Sequence, residues 1–170
     1  MSNIRIKDLK EINGIAIFCD ADNFSASEKK QLIYDEINSK QDICYNANFF
    51  LDNIGNIRGV QMKSGIYIFP DDVGIGTLEN LLIECANINY YDLLQTSQYY
   101  IKDIDNKYKE VWSVSDKNKV LIGSITNVLK PGKSNQVSIY DNNWICNDTI
   151  KGSTSLKKLY NYILIFLDIN

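Results

Sequence analysis

Histidine is absent from the 170-residue chain. Without imidazole there is no Ser-His-Asp or Cys-His nucleophile system and no His-containing zinc site, so any chemistry falls to carboxylates and lysines. The four cysteines (Cys19, Cys44, Cys85 and Cys146) show no Cys-x-x-Cys spacing. They indicate neither a zinc ribbon nor a disulfide framework, and are expected to be reduced and mostly buried. Long apolar runs are missing as well. Ile15 to Cys19 and Ile163 to Leu167 fall far short of the ~18 residues needed to span a bilayer, and the N-terminus lacks a signal-peptide pattern. A cytoplasmic protein with no membrane association is expected. Positive charge is in deficit, 18 Lys and Arg against 21 Asp and Glu for a net charge of −3. That balance argues against a general polyanion binder, yet it leaves room for an enzyme that is acidic at its centre and basic along its rim.

What is present is ordinary for a globular chain, 45% hydrophobic and 23% charged, and the length suits a single domain over residues 1–170. Organisation centres on Gly14-Ile15-Ala16-Ile17-Phe18-Cys19-Asp20-Ala21-Asp22-Asn23. An unbroken apolar run reads as a strand buried on both faces, the kind found in parallel sheets. Ligands of open α/β sheets bind beyond the carboxyl ends of strands, and residues i and i+2 of an extended chain project to one side. Asp20 and Asp22 can therefore converge on a divalent cation. The competing reading is that one of them caps the next helix while the other is solvated.

Residues 1–13 read as the tail of a helix ended by Gly14. Beyond Asn23, Ser25 and Glu28 have capping-box spacing, and Leu32, Ile33 and Ile37 form a helical stripe to about residue 38. Lys29 and Lys30 on that helix read as a solvated face. A β-hairpin is expected from strands at 43–51 and 57–62 around the turn chemistry of Asp52 to Asn56. Gly65 to Phe69 repeats the grammar of the first strand, with Pro70 leaving the ladder and Asp71 and Asp72 at its end. Thr77 is an N-cap for a helix with Leu78, Leu81, Leu82 and Cys85 on one face. Glu79 in its first turn falls near the same sheet edge, although favourable interaction with the helix N-terminus, worth about 0.3–1 kcal/mol, accounts for it equally.

Residues 89–105 carry a further helical stripe, in which Tyr90, Tyr91, Tyr99 and Tyr100 are read as core in preference to base-stacking platforms. Residues 115–129 read as helix, stopped by Lys130-Pro131-Gly132-Lys133, and 137–146 as a short edge strand and turn. The last expected helix runs from Ser155 to Leu167, docking on the sheet through Leu156, Leu159, Tyr160, Ile163, Phe166 and Leu167.

Four elements in order, Ile17-Phe18-Cys19-Asp20-Ala21-Asp22-Asn23, Ile68-Phe69-Pro70-Asp71, Gly76-Thr77-Leu78-Glu79-Asn80-Leu81 and Lys130-Pro131-Gly132-Lys133, resemble a bacterial Toprim-like family of unassigned function related to the OLD-type Toprim nucleases. The resemblance implies a Rossmann-like, mostly parallel sheet flanked by helices. It also implies one or two Mg²⁺ or Mn²⁺ ions supporting phosphodiester chemistry. By that analogy Asp20, Asp22 and Asp71 belong to the metal-binding edge, Glu79 is a second-metal and catalytic candidate, and Lys133 stabilises phosphate charge. Toprim domains normally begin with a strand ending in a catalytic Glu, then a helix and a strand, and this unit is not found here; Glu11 precedes a strand and is no substitute. An exposed sheet edge left in its place predicts self-association.

The expected function is a Mg²⁺- or Mn²⁺-dependent, nuclease-like enzyme acting on nucleic acid. The alternative is a catalytically inert binding or regulatory subunit on the same fold, working with an ATPase or nucleic-acid partner. A phosphatase of the haloacid dehalogenase type ranks last, because Phe24 stands where that family has Thr or Val.

Overall fold

The computed structural model describes residues 11–39, 54–57 and 60–169, and shows an α/β fold. Strand β1 (Gly14–Asp20) lies parallel to β3 (Val60–Phe69), with Gly14 opposite Lys63 and Asp20 opposite Phe69. On the other side of β3, strand β2 (Ile54–Ile57) pairs antiparallel, so the order is β1-β3-β2. Among the described residues the sheet is therefore mixed, one parallel and one antiparallel pairing, and β3 is its centre.

That order corrects the reading of β1 as buried on both faces. It is β3 whose residues Ser64 to Ile68 are all buried, whereas β1 is flanked by only one strand among the described residues and leaves Phe18 44% exposed. A hairpin is present, but its closing pair is Ile57 and Val60, and Ile54 to Asn56 are strand where a turn was expected. The expected first arm at 43–51 and the helix tail at 1–10 lie outside the described residues. Residues 60–62 of the run 57–62 and the run 65–69, read as separate strands, are joined in β3, where Ser64 and Gly65 are buried in the ladder.

The two faces of the sheet are covered by different chemistry. Alternation along a strand sends Met62, Ile66 and Ile68 to one side, where they pack with Ala21 and Ala26 and with Ile33, Tyr34 and Ile37 of α1 (Ala26–Ser39). The opposite side carries Phe18 and Tyr67, which meet Tyr162 of α7 (Thr154–Phe166) at ring-centroid distances of 6.1 and 5.1 Å. Helix α7 docks through Tyr162 and Phe166, above Gly14 and Gly65, where no side chain keeps the rings off the sheet. Tyr160, Ile163 and Leu167, expected on the docking face, are exposed at 42%, 36% and 56%.

Beyond the carboxyl end of the sheet lies a helical assembly: α2 (Leu78–Asn89), α3 (Tyr91–Asp103), a 3-10 turn at Asn106–Tyr108, α4 (Val114–Leu129), α5 (Asn135–Asp141) and α6 (Asn147–Gly152). Its core joins Leu81, Leu82, Cys85 and Ala86 of α2 to Leu94, Leu121, Ile122, Ile125, Trp144 and Leu156. The edge strand expected within 137–146 is helix instead. Ser134 caps α5 by accepting from the Val137 N–H, and Ser138 is buried with its hydroxyl donating to the Thr126 carbonyl at 2.9 Å. Val137 and Tyr140 of this helix face solvent at 41% and 88% exposure. Among the described residues no helix is long and apolar enough to cross a membrane.

Candidate functional site

Parallel pairing puts the carboxyl ends of β1 and β3 at one edge, so Asp20 and the turn after Phe69 share it. Extended geometry ends at Asp20. Asp22 takes φ +57°, a left-handed conformation that aspartate tolerates better than most residues. Its backbone N–H donates to the Gly76 carbonyl at 2.8 Å, and the Gly76 N–H donates back at 3.0 Å. Gly76 itself sits at φ +133°, which a residue with Cβ rarely adopts. This two-bond clasp fastens the 70–77 loop to the end of β1 and brings the start of α2 over the edge.

There Asp20 Oδ1 accepts from the Leu78 N–H at 2.7 Å. One acid of the Asp-x-Asp pair is thus a helix cap, of α2 and not of the helix that follows it in sequence. Asp22 directs its carboxylate to Lys29 Nζ at 2.8 Å. In the adjoining turn Asp71 Oδ1 accepts from the N–H groups of Val73 and Gly74, and its Oδ2 pairs with Lys158 of α7 at 2.7 Å. Asp72 turns to the opposite face, pairing with Lys30 of α1 at 2.7 Å. The two lysines read as a solvated face therefore hold acids of the edge in place.

Burial, the largest influence, raises the Asp20 carboxyl above the usual carboxylate value. The Leu78 hydrogen bond opposes that rise, the negative charges of Glu79 and Asp22 add to it, and the Lys119 ammonium opposes it. Glu79 is half-buried, and its Oε2 is sealed from solvent with no hydrogen-bond partner among the described residues. The Lys29 ammonium is raised, first by its hydrogen bond to Asp22. Asp22, Glu79, Lys29 and Lys119 are thereby each within electrostatic reach of Asp20. Asp71 is engaged toward α7. Lys133 is exposed and follows the far end of α4, about 15 Å along the axis from Lys119 at 1.5 Å per residue. Among the described residues no group of three His, Cys, Asp or Glu side chains is arranged to hold a metal.

Sequence reasoning passed over Lys119 and Glu84. Lys119 reaches Asp20 only because α4 packs beside α2, and nothing local marks it. Glu84 Oε2 accepts from the Ser153 hydroxyl at 2.7 Å and the Ser155 N–H at 3.1 Å, and Oε1 accepts from the Ser155 hydroxyl at 2.5 Å. It ties α2 to the first turn of α7. Burial works to raise the Glu84 carboxyl, but the hydrogen bonds from Ser155 and Ser153 outweigh it and hold the group below its ordinary value.

A family model described as "Protein of unknown function (DUF3226)" matches residues 1–161. No curated protein and no solved structure matches the chain.

Proposed function

Because the chain belongs to the DUF3226 family, whose description assigns no activity, its function has to come from its own side chains, and we propose a Mg²⁺- or Mn²⁺-dependent nucleic-acid phosphodiester enzyme, nuclease-like and of Toprim type, acting at the acidic end of β1. The observation that carries this reading is the unpartnered, solvent-sealed Glu79 Oε2 beside the like charge of Asp20. A buried carboxylate oxygen with no donor costs free energy, and a hard cation is the partner that relieves both the missing bond and the repulsion.

The donor set fits such an ion. Mg²⁺ is usually held by one or two carboxylates, with water and substrate phosphate completing its shell, so Asp20 and Glu79 suffice. When bound, the cation would neutralise phosphate oxygens and lower the pKa of a coordinated water. Asp20 keeps its second oxygen for this role while the first anchors α2. Lys119 supports phosphate charge in this arrangement, a part the resemblance had allotted to Lys133. A cytoplasmic setting and self-association belong to the same reading, whereas an ATPase partner belongs to the alternative of an inert subunit.

A second reading, an inert binding or regulatory subunit, is favoured by the lysine pairings of Asp22, Asp71 and Asp72, which occupy acids that a two-metal site would use. Calorimetry with Mn²⁺ and Mg²⁺ on the wild type, Asp20→Asn and Glu79→Gln, followed by nicking of supercoiled DNA, separates the two. The enzyme reading expects binding that both substitutions abolish and nicking that needs the cation. Nicking that survives Asp20→Asn, or a wild type that binds neither ion, rejects it.

A further inference from the structure

Among the described residues six lysines have a carboxylate partner: Lys29, Lys30, Lys63, Lys107, Lys130 and Lys158. Lys102, Lys109 and Lys117 have none among the described residues, and all three line one cavity of about 440 Å³ between the end of α3 and the start of α4, with Ile101, Asn106 and a single acid, Glu110. Lys109 is held in position, donating to the Ile101 and Lys102 carbonyls at 3.1 and 3.0 Å. Those are last-turn carbonyls of α3, where a cation also complements the helix dipole. Lys102 and Lys117 have no such structural occupation. Three lysines against one glutamate leave the lining with a net positive charge, which favours an anion as ligand.

The aromatic surroundings narrow the anion's class. Tyr99, Tyr100 and Tyr108 are 64%, 58% and 63% exposed, against the expectation that Tyr99 and Tyr100 are core. Tyr99 precedes Lys102 by three residues and so shares its face of α3. Tyr108 neighbours Lys109 in sequence and carries the Lys107 ammonium 4.9 Å from its ring centroid. Lysines that track a phosphate chain beside exposed rings on which bases stack are the combination used for single strands. A duplex keeps its bases stacked on one another and leaves such rings unused.

We propose that the α3–α4 cavity binds the phosphate backbone of single-stranded nucleic acid, with bases stacked on Tyr99 and Tyr108. The proposal deepens the phosphodiester reading and rests on it for why a strand would lie there. Lys117, in the cavity, and Lys119, whose charge reaches Asp20, are two residues apart on α4. The cavity and the acidic edge therefore flank the first turns of one helix, a span of about 7.5 Å from Val114 to Lys119 at 1.5 Å per residue.

The test is fluorescence anisotropy of a labelled oligothymidylate, with EDTA present so that binding is read apart from cation chemistry. Lys102→Gln/Lys117→Gln is compared with Lys151→Gln/Lys157→Gln, which removes the same charge from exposed positions on α6 and α7. The cavity pair is expected to weaken binding by about tenfold or more and to lower the log–log salt slope by about 1.4, at about 0.7 per phosphate contact on a single strand. The control pair should stay within about twofold of wild type. Tyr99→Ala/Tyr108→Ala should weaken binding about tenfold with the salt slope unchanged. Equal losses in both charge variants, no binding by the wild type, or displacement by duplex DNA or inorganic triphosphate as effective as by the unlabelled oligonucleotide overturns the proposal. Oligothymidylate binding by a wild type that binds neither Mn²⁺ nor Mg²⁺ leaves the cavity standing without the enzyme reading, and Mn²⁺ binding by a wild type that does not bind the oligonucleotide removes the cavity alone.

Discussion

Asp20 and Leu78 are 58 residues apart in sequence and joined by a 2.7 Å hydrogen bond, carboxylate oxygen to backbone N–H. The strand-end acid therefore has a structural duty that any cation role must share. Asp20→Asn keeps an acceptor oxygen and loses the charge, whereas Asp20→Ala loses both. The alanine variant should cost about 1 kcal/mol of stability, the usual value of a lost cap, and the asparagine variant much less. Both should abolish Mn²⁺ binding. Thermal melts paired with calorimetry check this, and an asparagine variant that still binds Mn²⁺ would remove Asp20 from the cation site.

Glu84 holds α7 to α2 as a carboxylate. Removing its charge with Glu84→Gln should cost about 1–2 kcal/mol near neutral pH, the range for hydrogen bonds to an ionised group reduced by partial exposure. Its folded pKa is lowered, so this stabilisation is complete above the unfolded value of about 4.3 and is lost as pH falls through the folded value. Urea denaturation across that window should show the gap between wild type and variant closing on acidification. A gap that stays constant would mean the glutamate acts through shape and not charge.

Gly65 lies beneath Tyr162, and a methyl group there would overlap the Tyr162 hydroxyl. That hydroxyl is buried without a hydrogen-bond partner among the described residues, and burial pushes its pKa up to about 12. Gly65→Ala should destabilise by about 1–3 kcal/mol, the scale of overpacking a tight interface. Tyr162→Phe, which deletes an unsatisfied group, should be close to neutral. The double variant should then recover most of the loss, and additive costs in denaturant melts would contradict the geometry.

Cys146 and Cys85 should differ sharply in reactivity. Hydrogen bonds from the Thr149 N–H and then from Asn89 lower the Cys146 thiol, which opens onto a cavity of about 410 Å³. Cys85 is fully buried, and that burial pushes its thiol up to about 12. Thiolate is the reacting species, so iodoacetamide near neutral pH should label Cys146 well ahead of Cys85 by peptide mapping. Comparable labelling of the two in folded protein would be inconsistent with this packing.

Local patterns in the sequence determined most of the helices. The stripes behind α1, α2, α3, α4 and α7 each place a helix within a few residues of where it stands, because periodicity and caps act over neighbours three and four apart. The absence of histidine and the gathering of acids at strand ends were equally legible, since residue type and strand direction need no partner. Tertiary structure alone decided what each acid does. Asp71 meets Lys158 across 87 residues, Asp72 meets Lys30 across 42, and Asp20 meets the amide of Leu78 across 58. It also turned Tyr99 and Tyr100 outward and set Tyr162 over Gly65. Coulomb energy and packing depend on distance through space, and no spacing along the chain records which distant side chain the fold brings within 3 Å.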